Sequence, residues 1–197
     1  KNRVDTQQED YQVEGYVQTR FTLGEYLSFA LGTRVDYSAD LTAQPTPQPR
    51  LSFNLTMPGL PQLRLAYGRY MQTPQPPQFF EPGGNPELEE SLSDHFILEI
   101  ERAFENGTVL KAAGYRKQLD KQIEPDPEEN PVKNKNYLNI GEGYAQGVEF
   151  LLQYRQGDRF FGWLSYARSV SKRRDDPDQD YRFYPYDQTH LATTIAS

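Results

Sequence analysis

Eight connections alternate between short and long along this chain. Tight breaks fall near Leu23–Glu25, Pro58–Pro61, Glu105–Gly107 and Gln156–Asp158. Long polar stretches lie between them, at Ser38–Gln48, Gln72–Glu90, Asp120–Glu142 and Ser171–Gln188. In an up-and-down meander, successive connections sit at opposite ends of the sheet. Strict alternation therefore gathers the tight turns at one end and the long loops at the other. A soluble sandwich has no cause to sort its loops this way, because both its ends meet the same water. A barrel crossing an outer membrane does, with short periplasmic turns and longer extracellular loops.

The segments between the breaks have period two, as strands with two unlike faces do. Tyr11, Val13, Val17 and Phe21 alternate with Gln12, Glu14, Gln18 and Arg20. Leu27, Phe29, Leu31, Val35 and Tyr37 alternate with Ser28, Ala30, Gly32, Arg34 and Asp36. Leu51, Phe53 and Leu55 do so with Arg50, Ser52 and Asn54, and Leu63, Leu65 and Tyr67 with Arg64, Ala66 and Gly68. Phe96, Leu98 and Ile100 oppose Glu99 and Glu101, while Val109, Ala113 and Tyr115 oppose Gly114 and Arg116. Residues 141–169 supply two more runs, and Leu191, Thr193 and Ile195 begin another. The fold class expected is all-β: an antiparallel up-and-down meander of about nine strands, part of a large transmembrane β-barrel.

Composition fits a chain that is apolar on one face only. Hydrophobic residues make up 36%, yet aromatics reach 13%, too many for a disordered chain. The net charge of −7 excludes nucleic acid as the main partner, since that role needs a basic face. Cysteine is absent, which removes disulfides and thiolate metal sites. No apolar stretch is long enough for a membrane helix, but a membrane strand needs only about 9–11 residues.

Two hairpins can be registered from turn chemistry. With Gly157-Asp158 as a two-residue turn, Tyr154 pairs with Phe161, Leu152 with Trp163, Phe150 with Ser165 and Val148 with Ala167. Val148, Phe150, Leu152, Tyr154, Phe161 and Trp163 then become the candidates to face lipid. A two-residue Asn106-Gly107 turn pairs Phe104 with Val109, Ile100 with Ala113 and Leu98 with Tyr115. It also sets Arg102 against Lys111, an unfavourable opposition of like charges. Arg20, Arg34, Arg64, Glu99, Arg116, Glu149 and Arg168 are the candidates for a wet lumen. Lys172, Arg173 and Arg174, just past a strand at the loop end, could meet lipopolysaccharide phosphates.

Reactive chemistry is thin. His95 has Asp94 beside it, but Glu99 lies four residues along a strand, about 13 Å away and too far to share a metal. Asp176, Asp178, Asp180 and Asp187 have partial calcium-loop spacing, but Tyr181 stands where glycine is required and no glutamate closes the loop. His190, which follows Asp187 at a loop-to-strand junction, fits a local hydrogen bond. No nucleophile, base and orienting group assemble from such a set, so no enzyme activity and no cofactor are expected.

Four stretches carry a family resemblance. NPELEESLSDHFILEIER (85–102), NYLNIGEGYAQGVEFLLQY (136–154), YPYDQTHLATTIAS (184–197) and AYGRYMQTPQPPQFF (66–80) resemble, in order and spacing, segments of the barrel domain of TonB-dependent outer-membrane receptors. The resemblance spans nearly the whole chain. It implies a barrel of about 22 strands with an N-terminal plug, driven by the inner-membrane TonB complex. Residues 1–197 would then be a partial barrel domain without the plug, roughly two-fifths of the circumference. The implied setting is the bacterial outer membrane. The implied partners are outer-membrane lipid and lipopolysaccharide, the TonB complex acting through a plug, and a small-molecule ligand such as an iron chelate, cobalamin or an oligosaccharide. A passive porin and a soluble or surface β-sheet adhesion domain are the alternatives.

Overall fold

A computed structural model of the protein describes residues 11–38, 45–80, 83–127, 136–157 and 159–197. Its strands are β1 (Gln12–Leu23), β2 (Leu27–Ser38), β3 (Thr46–Leu55), β4 (Gln62–Gln72), β5 (Ser91–Ala103), β6 (Thr108–Pro125), β7 (Tyr137–Gln156), β8 (Phe160–Arg174), β9 (Arg182–Phe183) and β10 (His190–Ala196). The first eight and β10 pair in sequence order, each antiparallel to the one before, while β9 folds back onto β8. A short helix, α1 (Pro76–Phe80), lies in the connection after β4. The meander is thus as expected, with one extra two-residue strand outside its path.

Several strands run further into the long connections than sequence patterning suggested. β6 continues to Pro125, β7 begins at Tyr137, and β8 reaches Arg174. Polar residues on both faces hid these extensions from a reading that sought alternation. β3 also starts early, at Thr46, but on one side only. It pairs with β2 from Thr46 to Leu55 but with β4 only from Arg50. Pro47 and Pro49 have no N–H to offer a second neighbour, so the ladder to β4 stops where they begin.

The turns correct the expected registers. Phe104 N–H donates to the Thr108 carbonyl (2.8 Å) and Gly107 N–H to the Phe104 carbonyl (3.1 Å). The loop is therefore Glu105-Asn106-Gly107, with Gly107 in the left-handed region at φ 83°. This is a three-residue hairpin, a turn followed by a glycine bulge, in place of the two-residue form. Ala103 now opposes Val109, Ile100 opposes Ala112 and Leu98 opposes Gly114. The β7–β8 turn likewise spans 157–159, and its strands first pair at Gln156 and Phe160. Phe150 accordingly opposes Tyr166, Leu152 opposes Leu164, and Val148 opposes Arg168. Each expected register is off by one residue, and such a slip carries a whole strand's side chains to the other face.

The sheet has almost no interior. Among the described residues, Ala30 and Leu88 are the buried hydrophobics. Val17, Phe96, Phe150, Leu164 and Leu191 each keep about half or more of their surface open. A soluble domain of this size would bury most of its apolar side chains against a second layer.

Candidate functional site

Directly opposed residues share a face, so the registers divide the sheet into two surfaces. One surface is apolar. It carries Val13, Val17 and Phe21 from β1, Phe29 and Leu31 from β2, and Leu51 and Phe53 from β3. Leu63, Leu65, Phe96, Leu98 and Ile100 continue it across β4 and β5. Leu110 and Ala112 of β6, Val148, Phe150 and Leu152 of β7, and Leu164 and Tyr166 of β8 complete it. Along each strand the apolar stretch covers about four alternate positions, roughly 20 Å. Aromatics border it. Phe21 stacks on Phe29, and Tyr67 meets Phe96 at a tilt, each pair with ring centroids 4.9 Å apart. Charges on this side appear only beyond the stretch. Toward the long loops, Arg69 grips both carboxylate oxygens of Asp94 (2.9 and 2.7 Å), and Tyr67 donates to the same group at 2.8 Å. Toward the turns, the Arg102 guanidinium lies 5.0 Å from the Phe104 ring centre.

The other surface is built from cross-strand charge. Glu99 of β5 bridges Arg64 of β4 and Lys111 of β6, each at 2.6 Å. Glu99 is the least exposed of the three, at 15%. Lys111 now stands opposite Glu101 and no longer opposite Arg102. The like-charge opposition of the two-residue turn was a symptom of its wrong register. Further along, Asp36 receives Arg34 Nε and Gln48 Nε2, both at 2.6 Å, and Arg34 reaches Glu14 at 2.8 Å. Removing Glu99 would leave two cations side by side. Glu99→Ala should therefore lower unfolding stability by about 1–2 kcal/mol, against under about 0.5 kcal/mol for the exposed Glu14→Ala. Urea titrations of the two variants, followed by gel mobility, check the difference.

The sequence candidates distribute between these surfaces as follows. Arg20, Arg34, Arg64, Glu99 and Glu149 share the polar face. Arg116 and Arg168 do not: Arg116 opposes Phe96, and Arg168 opposes Val148, which puts both on the apolar side at its loop-end limit. Val148, Phe150, Leu152 and Tyr154 stay together on the apolar face, but Phe161 and Trp163 fall with Arg155 and Gln153 on the polar one. Leu191 and Ile195 of β10 join Ala167 and Trp163 there, so that face turns apolar near β10. The one-residue longer turns cause all these transfers. Of the three loop-end cations, Lys172 and Arg174 share the side of Arg168, and Arg173 is on the other, over the Tyr184 ring.

Sequence reasoning missed a cluster on the polar face. Arg50 lies over Tyr70 (4.9 Å), whose ring also meets His95 at 4.5 Å. His95 Nε2 is 2.8 Å from Ser93 Oγ, and the hollow around them holds about 210 Å³. His190 Nδ1 contacts Tyr166 Oη across strands at 2.8 Å, a local bond as expected. Asp187, in the calcium-like spacing, instead caps β8 by accepting Ser171 N–H (2.7 Å) and Thr189 Oγ1 (2.8 Å). Above the apolar stretch, Arg174 binds Glu142 at 2.6 Å and Tyr181 donates to the same carboxylate at 3.1 Å. Burial, then that carboxylate, push the Tyr181 phenol above its usual range.

Residues 1–195 match the family described as TonB dependent receptor-like, beta-barrel. The chain belongs to that family, whose members are outer-membrane transport proteins and not enzymes. No curated protein matches it significantly. Among solved structures, the pyoverdine outer membrane receptor FpvA of Pseudomonas aeruginosa is 16% identical with a TM-score of 0.73, over 95% of this chain and 28% of that one. The siderophore receptor PirA of the same organism is 17% identical, TM-score 0.69, over 95% and 38%. The outer membrane transporter YddB of Escherichia coli is 13% identical, TM-score 0.72, over 83% and 25%. The chain thus spans 25–38% of the length of these structures. Its meander is part of a larger transmembrane barrel of the bacterial outer membrane.

Proposed function

We propose that this sheet is a wall segment of an active importer that takes an iron chelate across the outer membrane. The apolar face meets lipid and the polar face lines the lumen. The observation that carries this reading is the contrast between the faces: one is uncharged and open for roughly 20 Å along the strands, the other is tied by charge from strand to strand. Hydrocarbon is the solvent that makes the first surface stable, and a wet or protein-filled lumen suits the second. Similar structures described as a pyoverdine receptor and a siderophore receptor support the ligand class.

In this reading the barrel is scaffold and outer gate. The long loops capture the ligand, and the polar wall offers charged contacts along the way in. Energy would enter from the TonB complex through a plug domain. The test is uptake of radiolabelled iron, supplied as ferric siderophores, by cells with and without the receptor. Receptor-dependent uptake should stop when a protonophore collapses the inner-membrane gradient. Uptake that continues undiminished would mark a passive pore and overturn active import.

A further inference from the structure

We infer that residues 83–90, in the connection after β4, form a fixed rim at the long-loop end of the sheet, fastened to β7 by Asn139, and not a flap that swings. Asn139 is a positioning residue, acting through the segment it holds. The clasp itself does not depend on what the protein carries. Only its consequence for ligand capture rests on the reading of a receptor given above.

Two stretches that stand out in the sequence, 85–102 and 136–154, meet here. The Asn139 side chain pairs with the Glu89 backbone in both directions. Glu89 N–H donates to Asn139 Oδ1 at 2.8 Å, and Asn139 Nδ2 donates to the Glu89 carbonyl at 2.9 Å. A neighbouring strand would offer a residue the same two bonds. Asn139 Nδ2 also donates to the Lys121 carbonyl at 2.9 Å. One primary amide thus spends both donors and its acceptor on three backbone groups. Neither aspartate nor alanine could supply that set.

The strands make room for this reach. β6 runs between β5 and β7, so Asn139 must cross it to arrive at Glu89. It does so where β6 leaves the regular ladder, between Leu119 and Gln122. Lys121, at φ 53°, gives its carbonyl to two side chains, Asn139 Nδ2 and Ser91 Oγ (3.1 Å). A left-handed lysine is strained and persists where its surroundings fix it. Gly141 follows Asn139 on the same side of β7, and a Cβ there would sit 2.7 Å from Glu124 Cγ.

A second attachment lies further along. Asn85 Nδ2 donates to the Tyr137 carbonyl, and Asn136 N–H donates to the Gly83 carbonyl, each at 2.8 Å. Asn85 also shapes the segment from within. Its Oδ1 accepts Glu87 N–H at 3.0 Å, and its own N–H reaches the Gln78 carbonyl at 2.7 Å. Asn85 and Leu88 are only 4% and 5% exposed, although the sheet itself buries almost nothing. Segments that open easily have few buried contacts and a solvent-exposed backbone, and this one has neither trait. Asn139 lies an even number of residues from Glu149, which puts the clasp on the polar side. In a receptor, the motions that admit a ligand then fall to other segments.

The test is hydrogen–deuterium exchange, read by mass spectrometry, on the full receptor in detergent without ligand. Peptides covering 83–90 should exchange as slowly as those of β7. Asn139→Ala should speed their exchange about tenfold or more and leave the turn half of β4 unchanged. Asn139→Asp, of the same shape but without the donors, should do likewise. Lys121→Gly removes the exposed ion pair to Glu89 but keeps the carbonyl, and should change the exchange less than about twofold. Heat-modifiable gel migration verifies folding. If Asn139→Ala does not fold, Asn85→Ala removes the other attachment and must speed the same peptides. Exchange at 83–90 in the unaltered receptor at the rate of an unstructured peptide overturns the fixed rim. Unchanged exchange in a folded Asn139→Ala variant overturns the clasp. Slow exchange that Asn139→Ala releases, in a protein that imports no ferric siderophore, upholds the clasp and defeats the receptor reading alone.

Discussion

Replacing Phe150 with arginine should cost the inserted protein about 2–4 kcal/mol, the depth-dependent penalty for a cation at the middle of a barrel's lipid face. Phe150 is 52% exposed and stands between Ala112 and Tyr166 at the centre of the apolar stretch. Nothing nearby on that face could neutralise a guanidinium, and the surrounding hydrocarbon could not hydrate it. Gln153→Arg, three residues along on the polar face, should cost less than about 1 kcal/mol, since a lumen can solvate it. Urea unfolding of the full receptor from lipid vesicles compares the two directly. Equal costs would mean that the two faces do not meet different solvents, and the membrane orientation proposed above would fall.

The second large effect is expected at the β5–β6 turn. Gly107 has φ 83°, and a Cβ built there would sit 2.1 Å from the Arg155 carbonyl oxygen. That oxygen belongs to the backbone of β7, which cannot rotate away as a flexible side chain would. Gly107 also receives the Arg155 N–H on its own carbonyl at 3.1 Å, so the two segments are held in contact. Gly107→Val should therefore destabilise by about 3 kcal/mol or more, combining left-handed strain with a displaced strand end. Gly24→Ala is the fitting comparison. Its φ is 63°, but the space around it is open, so only backbone strain of about 1–2 kcal/mol applies. Similar losses at the two positions would show that the Arg155 contact gives way easily.

These turns also mark the limit of what the sequence disclosed. Alternation in β1 to β5 was legible because apolar and polar residues there differ sharply, and Leu27, Phe29 and Leu31 can share only one side of a strand. The sorting of loops was legible because proline and glycine punctuate the chain. Turn length was not. Asn106-Gly107 is chemically suited to a two-residue loop, yet glycine is equally suited to the last place of a three-residue one. The choice depends on which neighbouring pairs form, a cooperative property of the sheet. One physical clue was available: the shorter loop forced Arg102 onto Lys111, whereas the longer one gives Lys111 to Glu99 and Glu101. Charge pairing could have decided the register where turn chemistry could not. The polar-face cluster of Arg50, Tyr70 and His95 was illegible for another reason, since residues 50, 70 and 95 meet only through lateral pairing of three strands. Arg116 and Arg168 were hidden in the same way, because each looked like a lumen residue until its strand was turned over.

The length of β6 has a bearing on what first touches this protein from outside. From Arg116, at the limit of the apolar stretch, the strand continues to Pro125 and is accompanied by β7 and, in part, β8. Nine further residues amount to roughly 30 Å of strand, or about 20 Å of height at a typical barrel tilt. The pairing of this upper part with β7 is irregular between Leu119 and Glu124, with Lys121 at φ 53°. Paired strands thus extend well beyond the apolar stretch as a stem. In the proposed orientation this stem points away from the cell, so a large particle approaching from outside would meet it before coming level with the opening.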